Sequence, residues 1–178
     1  MDTTCPTVKS LIVLDSEGRR IAVKYFAPEW GTVSSQANYE KSVFAKTSRT
    51  NARGEAEIIM FDDYLVVYKC LGDLMFYVTG SLNENELILY SVLQAFYEAT
   101  STLLRQQVDK KTVLENLDLL LLVMDEIVDG GLILETDPQT VASRVSMRGA
   151  DGEVPITEQT FSQAFASAKE HLARSLLK

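Results

Sequence analysis

Only two of the 178 residues are cysteine and only one is histidine. Cys5 and Cys70 form no C-x-x-C pair, and His171 alone offers no zinc-site spacing, so a disulfide scaffold and a structural zinc module are excluded. Cys5 reads as a loose N-terminal thiol and Cys70 as a small strand residue. A Ser–His or Cys–His mechanism would depend on His171, on an apparent surface helix near the end of the chain, where solvent exposure is the expectation. Long apolar runs are also missing. The longest, Leu119 to Met124, falls far short of the roughly 20 residues that cross a bilayer. The opening MDTTCPTVKS has neither a basic region nor an apolar run, so no signal peptide is expected. No N-x-[ST] acceptor occurs, and the expectation is a soluble protein in a reducing compartment. There is no basic excess either: 17 Lys and Arg stand against 25 Asp and Glu, a net charge of −8. Such a field repels a phosphate backbone and argues against a nucleic-acid partner.

What is present is the composition of an ordinary globular protein, 46% hydrophobic and 24% charged, which excludes intrinsic disorder and a coiled-coil rod. The length predicts one domain, or one domain with an appendage, and suffices for a core without metals or disulfides. Catalytic signatures do not appear. Neither G-x-x-x-x-G-K-[ST] nor G-x-G-x-x-G occurs, nor do G-x-S-x-G and H-E-x-x-H. Asp62-Asp63 sits in a tight turn whose neighbours point to opposite faces, so the two carboxylates share no proton readily. Asp125, Glu126 and Asp129 cluster at a helix end where the dipole disfavours acids. Residues at i and i+4 supply two ligands where calcium wants six or more, so this cluster reads as solvated or partner-facing. The expectation is a protein that is not an enzyme and carries no cofactor or metal.

Leu11–Leu14 is a β-rich apolar run suited to a strand covered on both faces. After the turn Asp15-Ser-Glu-Gly18, Arg20–Phe26 resumes the strand pattern, which predicts a hairpin. Ser34–Thr47 places Tyr39, Val43 and Phe44 at helical spacing. Ser48–Gly54 reads as an exposed loop. Glu57–Phe61, Tyr64–Cys70 and Leu74–Thr79 follow at short intervals and predict an antiparallel meander. Asn83 and Glu86 have capping-box spacing before a long helix whose stripe is Leu89, Val92, Leu93, Phe96, Thr100 and Leu103. A second helix is expected from about Lys111 to Val128, with the stripe Val113, Leu117, Leu120, Leu121, Met124 and Val128 and a left-handed cap at Asp129-Gly130-Gly131. Leu132–Glu135 reads as extended. Asp137-Pro138 then starts another helix carrying Val141 and Val145.

Gly149–Glu153 is the best boundary in the chain. It divides the sequence into a domain over residues 1–148 and a linker with a C-terminal amphipathic helix over 149–178, striped by Phe161, Phe165, Ala168, Leu172 and Leu176. Both long helices carry more apolar residues than one core face uses: Leu87, Tyr90 and Tyr97 on the first, Leu119, Leu122 and Val123 on the second. This surplus predicts a second covered surface, supplied by a further helix or a partner chain. Leu87, Tyr90, Tyr97, Leu119 and Leu122 are therefore the candidate partner-interface residues. Charge is uneven as well. Residues 61–145 carry 5 basic and 14 acidic side chains, either a solvated face or a surface for a basic partner.

The order strand, strand, helix, three strands, two long helices matches the longin-like architecture of small coat-adaptor subunits. The segments LIVLDSEGRRIAVKYF (11–26), NYEKSVFAKT (38–47), EIIMFDDYLVVYK (57–69), DLMFYVTGSLNENELILYSVL (73–93) and VMDEIVDGGLILETDPQTVASRV (123–145) resemble the zeta-subunit family of coatomer. The tail TEQTFSQAFASAKEHLARSLL resembles that family's C-terminal extension. The resemblance implies an α+β, longin-like fold: a five-stranded, antiparallel-rich sheet with helices on both faces, plus C-terminal helices. It also implies a non-catalytic part of the COPI coat, in a heterodimer with the trunk of the large coatomer gamma subunit among the remaining coatomer subunits. The coat is recruited to Golgi membranes by an Arf GTPase, for retrograde transport to the endoplasmic reticulum and within the Golgi. This chain's contact with the GTPase and the membrane would be indirect, since an acidic subunit has no attraction for anionic lipid.

Two other classes share parts of the pattern. Clathrin-adaptor sigma chains bind dileucine cargo with an arginine directly before a Leu-Ala-Lys step in the second strand. The matching position here is Ile21, and Arg20, one residue away, belongs on the opposite face of the strand. A longin- or roadblock-type GTPase regulator would be stable alone or as a homodimer, whereas a zeta-type chain needs its large partner.

Overall fold

The computed structural model describes residues 5–49, 52 and 54–151, with side chains to Arg148. The chain divides into two compact units, Met1–Ser146 and Met147–Lys178. The architecture below is that of the first; of the second, only the last residues of one helix are described. The last two residues of the expected linker, Gly152 and Glu153, and the whole C-terminal helix striped by Phe161, Phe165, Ala168, Leu172 and Leu176 lie outside the described residues.

The centre of the first unit is a five-stranded antiparallel sheet in the order β2-β1-β5-β4-β3. Its strands are β1 (Ser10–Asp15), β2 (Arg20–Tyr25), β3 (Glu57–Phe61), β4 (Tyr64–Leu71) and β5 (Leu74–Ser81). β1 is buried along its whole length, as its unbroken apolar run requires, because it lies between β2 and β5 with a core on each face. Alternation divides the strands between the two cores. Leu11, Val13, Leu65, Val67, Phe76 and Val78 face one side, while Ile12, Leu14, Val66, Tyr68, Met75 and Tyr77 face the other. The second side is covered by α1 (Val33–Thr47), through Tyr39 and Val43, together with Trp30. The first is covered by α2 (Glu86–Leu103), α3 (Lys110–Glu115), α4 (Leu117–Ile127) and the start of α5 (Pro138–Asp151). The longin-like α+β expectation of a five-stranded sheet with helices on both faces is therefore what forms.

Four local expectations change. The cap of α2 is Asn85, whose side chain accepts from Leu87 N at 2.8 Å, and not Asn83; Glu84 is drawn away to accept from the Thr7 hydroxyl at 3.0 Å. The second long helix is two helices, because Asn116 leaves helical geometry (φ −127°, ψ 39°) and its side-chain amide donates to Thr112 O at 2.8 Å. The break rephases the apolar stripe: Val123, expected off it, is fully buried, and Leu121, expected on it, is exposed. Gly130 and Gly131, at φ 55° and 88°, cap no helix. They turn a two-residue hairpin between β6 (Val128–Asp129) and β7 (Leu132–Ile133), as primed turns require. Finally, α5 runs to Asp151, through the first three residues of the expected linker. Its start matches expectation, with Asp137 Oδ2 accepting from Thr140 N at 2.7 Å and proline at the first position.

Candidate partner interface

α2 is anchored over β4 and β5 at three points. Near its N-terminus, Leu89 closes over Gly80, where an added Cβ would lie 2.7 Å from the leucine side chain. In its middle, Phe96 meets Phe76 edge-on at 5.1 Å between ring centres. Toward its end, Lys69 Nζ of β4 sits 4.4 Å above the ring of Tyr97. The last contact turns the flank bearing Tyr97, and Tyr90 two helical turns before it, toward β4. Burial pushes the Tyr97 phenol up to about 12, with Glu98 adding to the shift, so Tyr97 presents a neutral hydroxyl at physiological pH.

The five residues singled out from the sequence take two kinds of position. Leu87 and Tyr90 are exposed, at 72% and 37% of their surface. Tyr97, Leu119 and Leu122 are half-buried and pack against the core beneath α2 and α4. They do not form one exposed patch: α2 contributes the open face, and the α4 pair lies at the core margin. Sequence reasoning missed Ile58 and Met60 of β3, exposed at 47% and 69%. The sequence marks Glu57–Phe61 as one strand of a meander, and only the sheet order places it at an edge.

The acidic cluster disperses. Asp125 is paired with Lys24 of β2, Asp129 is exposed, and Glu126 is buried with Arg144 Nη1 at 3.7 Å. Glu126 thus departs from a solvated reading, because the α4 break turns it into the core. Among the described residues, no three His, Cys, Asp or Glu side chains are grouped to hold a metal ion. No described helix is long and apolar enough to cross a membrane.

Arg20 and Ile21 diverge as strand alternation demands. Ile21 packs on the α2–α4 side. Arg20 donates to Glu40 of α1 through Nη2 at 2.5 Å and Nε at 3.1 Å, and through Nη2 to Gln36 at 3.2 Å. The Nε and Nη2 donors of its guanidinium are engaged within the fold, and the pairing with Glu40 holds its pKa above the ordinary arginine value.

Residues 7–152 match the family model of the clathrin adaptor complex small chain. Coatomer subunit zeta-3 of Oryza sativa subsp. japonica is 56% identical over 173 residues, covering 97% of this chain and 98% of the relative. This chain belongs to the coatomer zeta family. Other zeta-family relatives agree: coatomer subunit zeta-2 of Arabidopsis thaliana is 54% identical over 98% of this chain and 97% of its own. Coatomer subunit zeta-1 of Homo sapiens is 48% identical over 97% and 94%. Among structures, a chain in a homology model of the full-length AP-3 complex in a stretched open conformation superposes with a TM-score of 0.65 and 19% identity. That match covers 88% of this chain and 98% of the other, and shows a shared small-chain fold. The zeta family thus embraces the full domain built on the sheet, including the α2 face and the β3 edge.

Proposed function

We propose that this chain is the non-catalytic small subunit of a COPI vesicle coat, pairing one-to-one with the trunk of the coatomer gamma subunit. In this reading it acts in Golgi-to-ER retrograde and intra-Golgi transport, on the cytosolic face of Golgi membranes and COPI-coated vesicles. Other coatomer subunits surround the pair, and contact with the Arf GTPase and the membrane is indirect. The observation that carries the reading is identity of about half the residues over nearly the whole length of several coatomer zeta subunits. The engagement of Arg20 by Glu40 supports it against a dileucine-binding sigma chain, because the Nε and Nη2 donors of the guanidinium already hold a carboxylate of the fold. Residues 1–148 are the gamma-binding domain and residues 149–178 an appendage. Leu87, Tyr90, Tyr97, Leu119 and Leu122 are the first candidates for the interface.

The test is co-expression with a gamma trunk and, separately, with a clathrin-adaptor large chain, followed by size-exclusion chromatography. A one-to-one complex with gamma alone is the expected result. Pairing with the clathrin-adaptor chain would transfer the assignment to the sigma type. A stable homodimer indifferent to both would make the chain a GTPase regulator of the longin class.

A further inference from the structure

The two edges of the sheet are finished differently. β2 is protected in the ways edge strands are commonly protected. Its pairing with β1 is interrupted between Val13 and Leu14, it carries Arg20 and Lys24, and α4 packs along it with Asp125 paired to Lys24. β3 has none of these. Its five residues, Glu-Ile-Ile-Met-Phe, contain no lysine or proline, its register with β4 is unbroken from Glu57↔Tyr68 to Phe61↔Tyr64, and β4 is the one strand it pairs with among the described residues. In an antiparallel pair, alternate amides and carbonyls of the outer strand point away from the partner. β3 therefore ends the sheet with an open ladder and two exposed apolar side chains.

Those side chains lie on the same side as α2. Met60 is opposite Leu65, which is opposite Gly80, where Leu89 of α2 closes down; Ile58 is opposite Val67 in the same core. The flank of α2 that carries Tyr97 meets β4, the neighbour of β3, through Lys69. Acidic residues mark the strand at both ends: Glu55 lies before it and Glu57 is its first residue, Asp62 and Asp63 follow it, and Glu86 opens α2. In antiparallel pairing of two β3 strands about Ile59, Glu55 of each copy falls opposite Asp63 of the other. Like charges so placed oppose self-pairing.

We infer that β3 is a docking edge for an extended, apolar segment of another protein, bearing lysine or arginine at its ends, which adds a sixth strand to the sheet. Main-chain bonds supply the attachment. Ile58 and Met60 take alternate apolar side chains of the incoming strand, and the acidic borders set its charge and register. The inference rests on the gamma-pairing reading and assigns that partner's segment a surface distinct from the outer face of α2.

The experiment uses the full chain, free and in complex with the gamma trunk. Amide hydrogen exchange is followed along β3, and affinity is compared between the parent chain and the double variant Ile58→Lys/Met60→Lys. Both side chains are solvent-facing, and thermal melting of the free variant checks that it folds. The expected result is new protection of the outward β3 amides in the complex and a loss of affinity of about tenfold or more in the variant. A gamma complex with neither effect overturns the docking edge and leaves gamma pairing intact. Loss of affinity without amide protection overturns strand addition, because the apolar pair then binds a helix or loop. Concentration-dependent protection of β3 in the free chain overturns the heterologous partner in favour of a second copy. Absence of any gamma complex removes the reading on which the inference stands. Because exchange is read on the parent chain, the docking edge stays testable if the variant fails to fold.

Discussion

Two buried carboxylates decide how the ends of the sheet are tied to the helices. Asp15, 1% exposed, closes the β1–β2 turn by accepting from Glu17 N at 2.9 Å, Arg19 N at 2.8 Å and Arg19 Nε at 3.1 Å. It also accepts from Lys110 Nζ at 2.7 Å, across 95 positions of sequence, which fastens the start of α3 to the turn. Burial alone raises its pKa, but the lysine and the turn donors outweigh burial and hold the carboxyl well below its usual range. A depressed folded-state pKa contributes stability that is complete above the unfolded value, about pH 4. That contribution drains away as pH falls from there. Asp15→Asn keeps the shape and removes the charge, leaving Lys110 without its carboxylate and Arg19 with Glu17 alone. It is expected to cost about 2–4 kcal/mol in urea unfolding at pH 7 and to flatten the acid limb of the stability curve below pH 4. Arg19→Ala is the comparison, since its side chain is 60% exposed and its ion pairs are worth about 1 kcal/mol or less. Equal losses in the two variants would mean that Asp15 acts through its backbone turn alone. Glu40 repeats the design on the other face, accepting from Arg20 and from the Tyr25 hydroxyl at 2.8 Å. Burial, with the carboxylate beside it, pushes the Tyr25 phenol far above its ordinary value.

At the scale of elements, turns separate the positions where glycine is indispensable from those where it is convenient. Gly72, at φ 64°, joins β4 to β5, and a Cβ there would lie 2.1 Å from the backbone oxygen of Val108, just ahead of α3. Gly130, at φ 55°, has open space around it. Gly130→Ala bears only the left-handed backbone cost, about 1–2 kcal/mol. Gly72→Ala adds a backbone collision that only displacement of Val108 relieves, and is expected to lose about 3 kcal/mol or more in the same unfolding measurement. Similar losses at both sites would show that the Val108 segment yields easily. The same contrast explains what was legible from sequence. The hairpin, the meander, α1 and the start of α5 carry their signals locally, in period-2 or period-3.6 patterns bounded by turn residues. The α3–α4 break did not, because Asn116 is tolerable inside a helix until tertiary packing selects the broken form. The cap of α2 lies at Asn85 because Asn83 is taken up in the turn after β5, which Glu84 N closes by donating to Ser81 O at 3.1 Å. The candidate interface was half legible for a related reason. Surplus apolar residues on α2 show in a helical wheel, so the exposure of Leu87 and Tyr90 is legible there. Exposure of Ile58 and Met60 depends on strand order, which no local pattern encodes.

At the scale of the whole molecule, the net charge of −8 and the exposed apolar residues act together on association. On the proposed pairing, the excess negative charge over residues 61–145 favours a basic partner segment over a second copy, and Leu87, Tyr90, Ile58 and Met60, exposed in the free chain, are the side chains that pairing would cover. A partner that binds the folded chain and not the unfolded one stabilises it by about 2.7 kcal/mol when present at 100 times its dissociation constant. For a domain of this size each kcal/mol moves the melting midpoint by about 2–4 °C. The gamma trunk at that excess is therefore expected to raise the melting midpoint of this chain by about 5–11 °C. Salt separates the two contributions. Raising ionic strength from 0.1 M to 1 M shortens the screening length from about 10 Å to about 3 Å and weakens attraction between exposed charges, but leaves apolar burial in place. The partner-induced rise in midpoint is expected to shrink with added sodium chloride without vanishing, measured by scanning calorimetry against each protein alone at the same salt. A gain insensitive to salt would assign the interface to apolar contact only. Complete loss of the gain at 1 M would assign it to charge and remove the role given to the exposed apolar side chains.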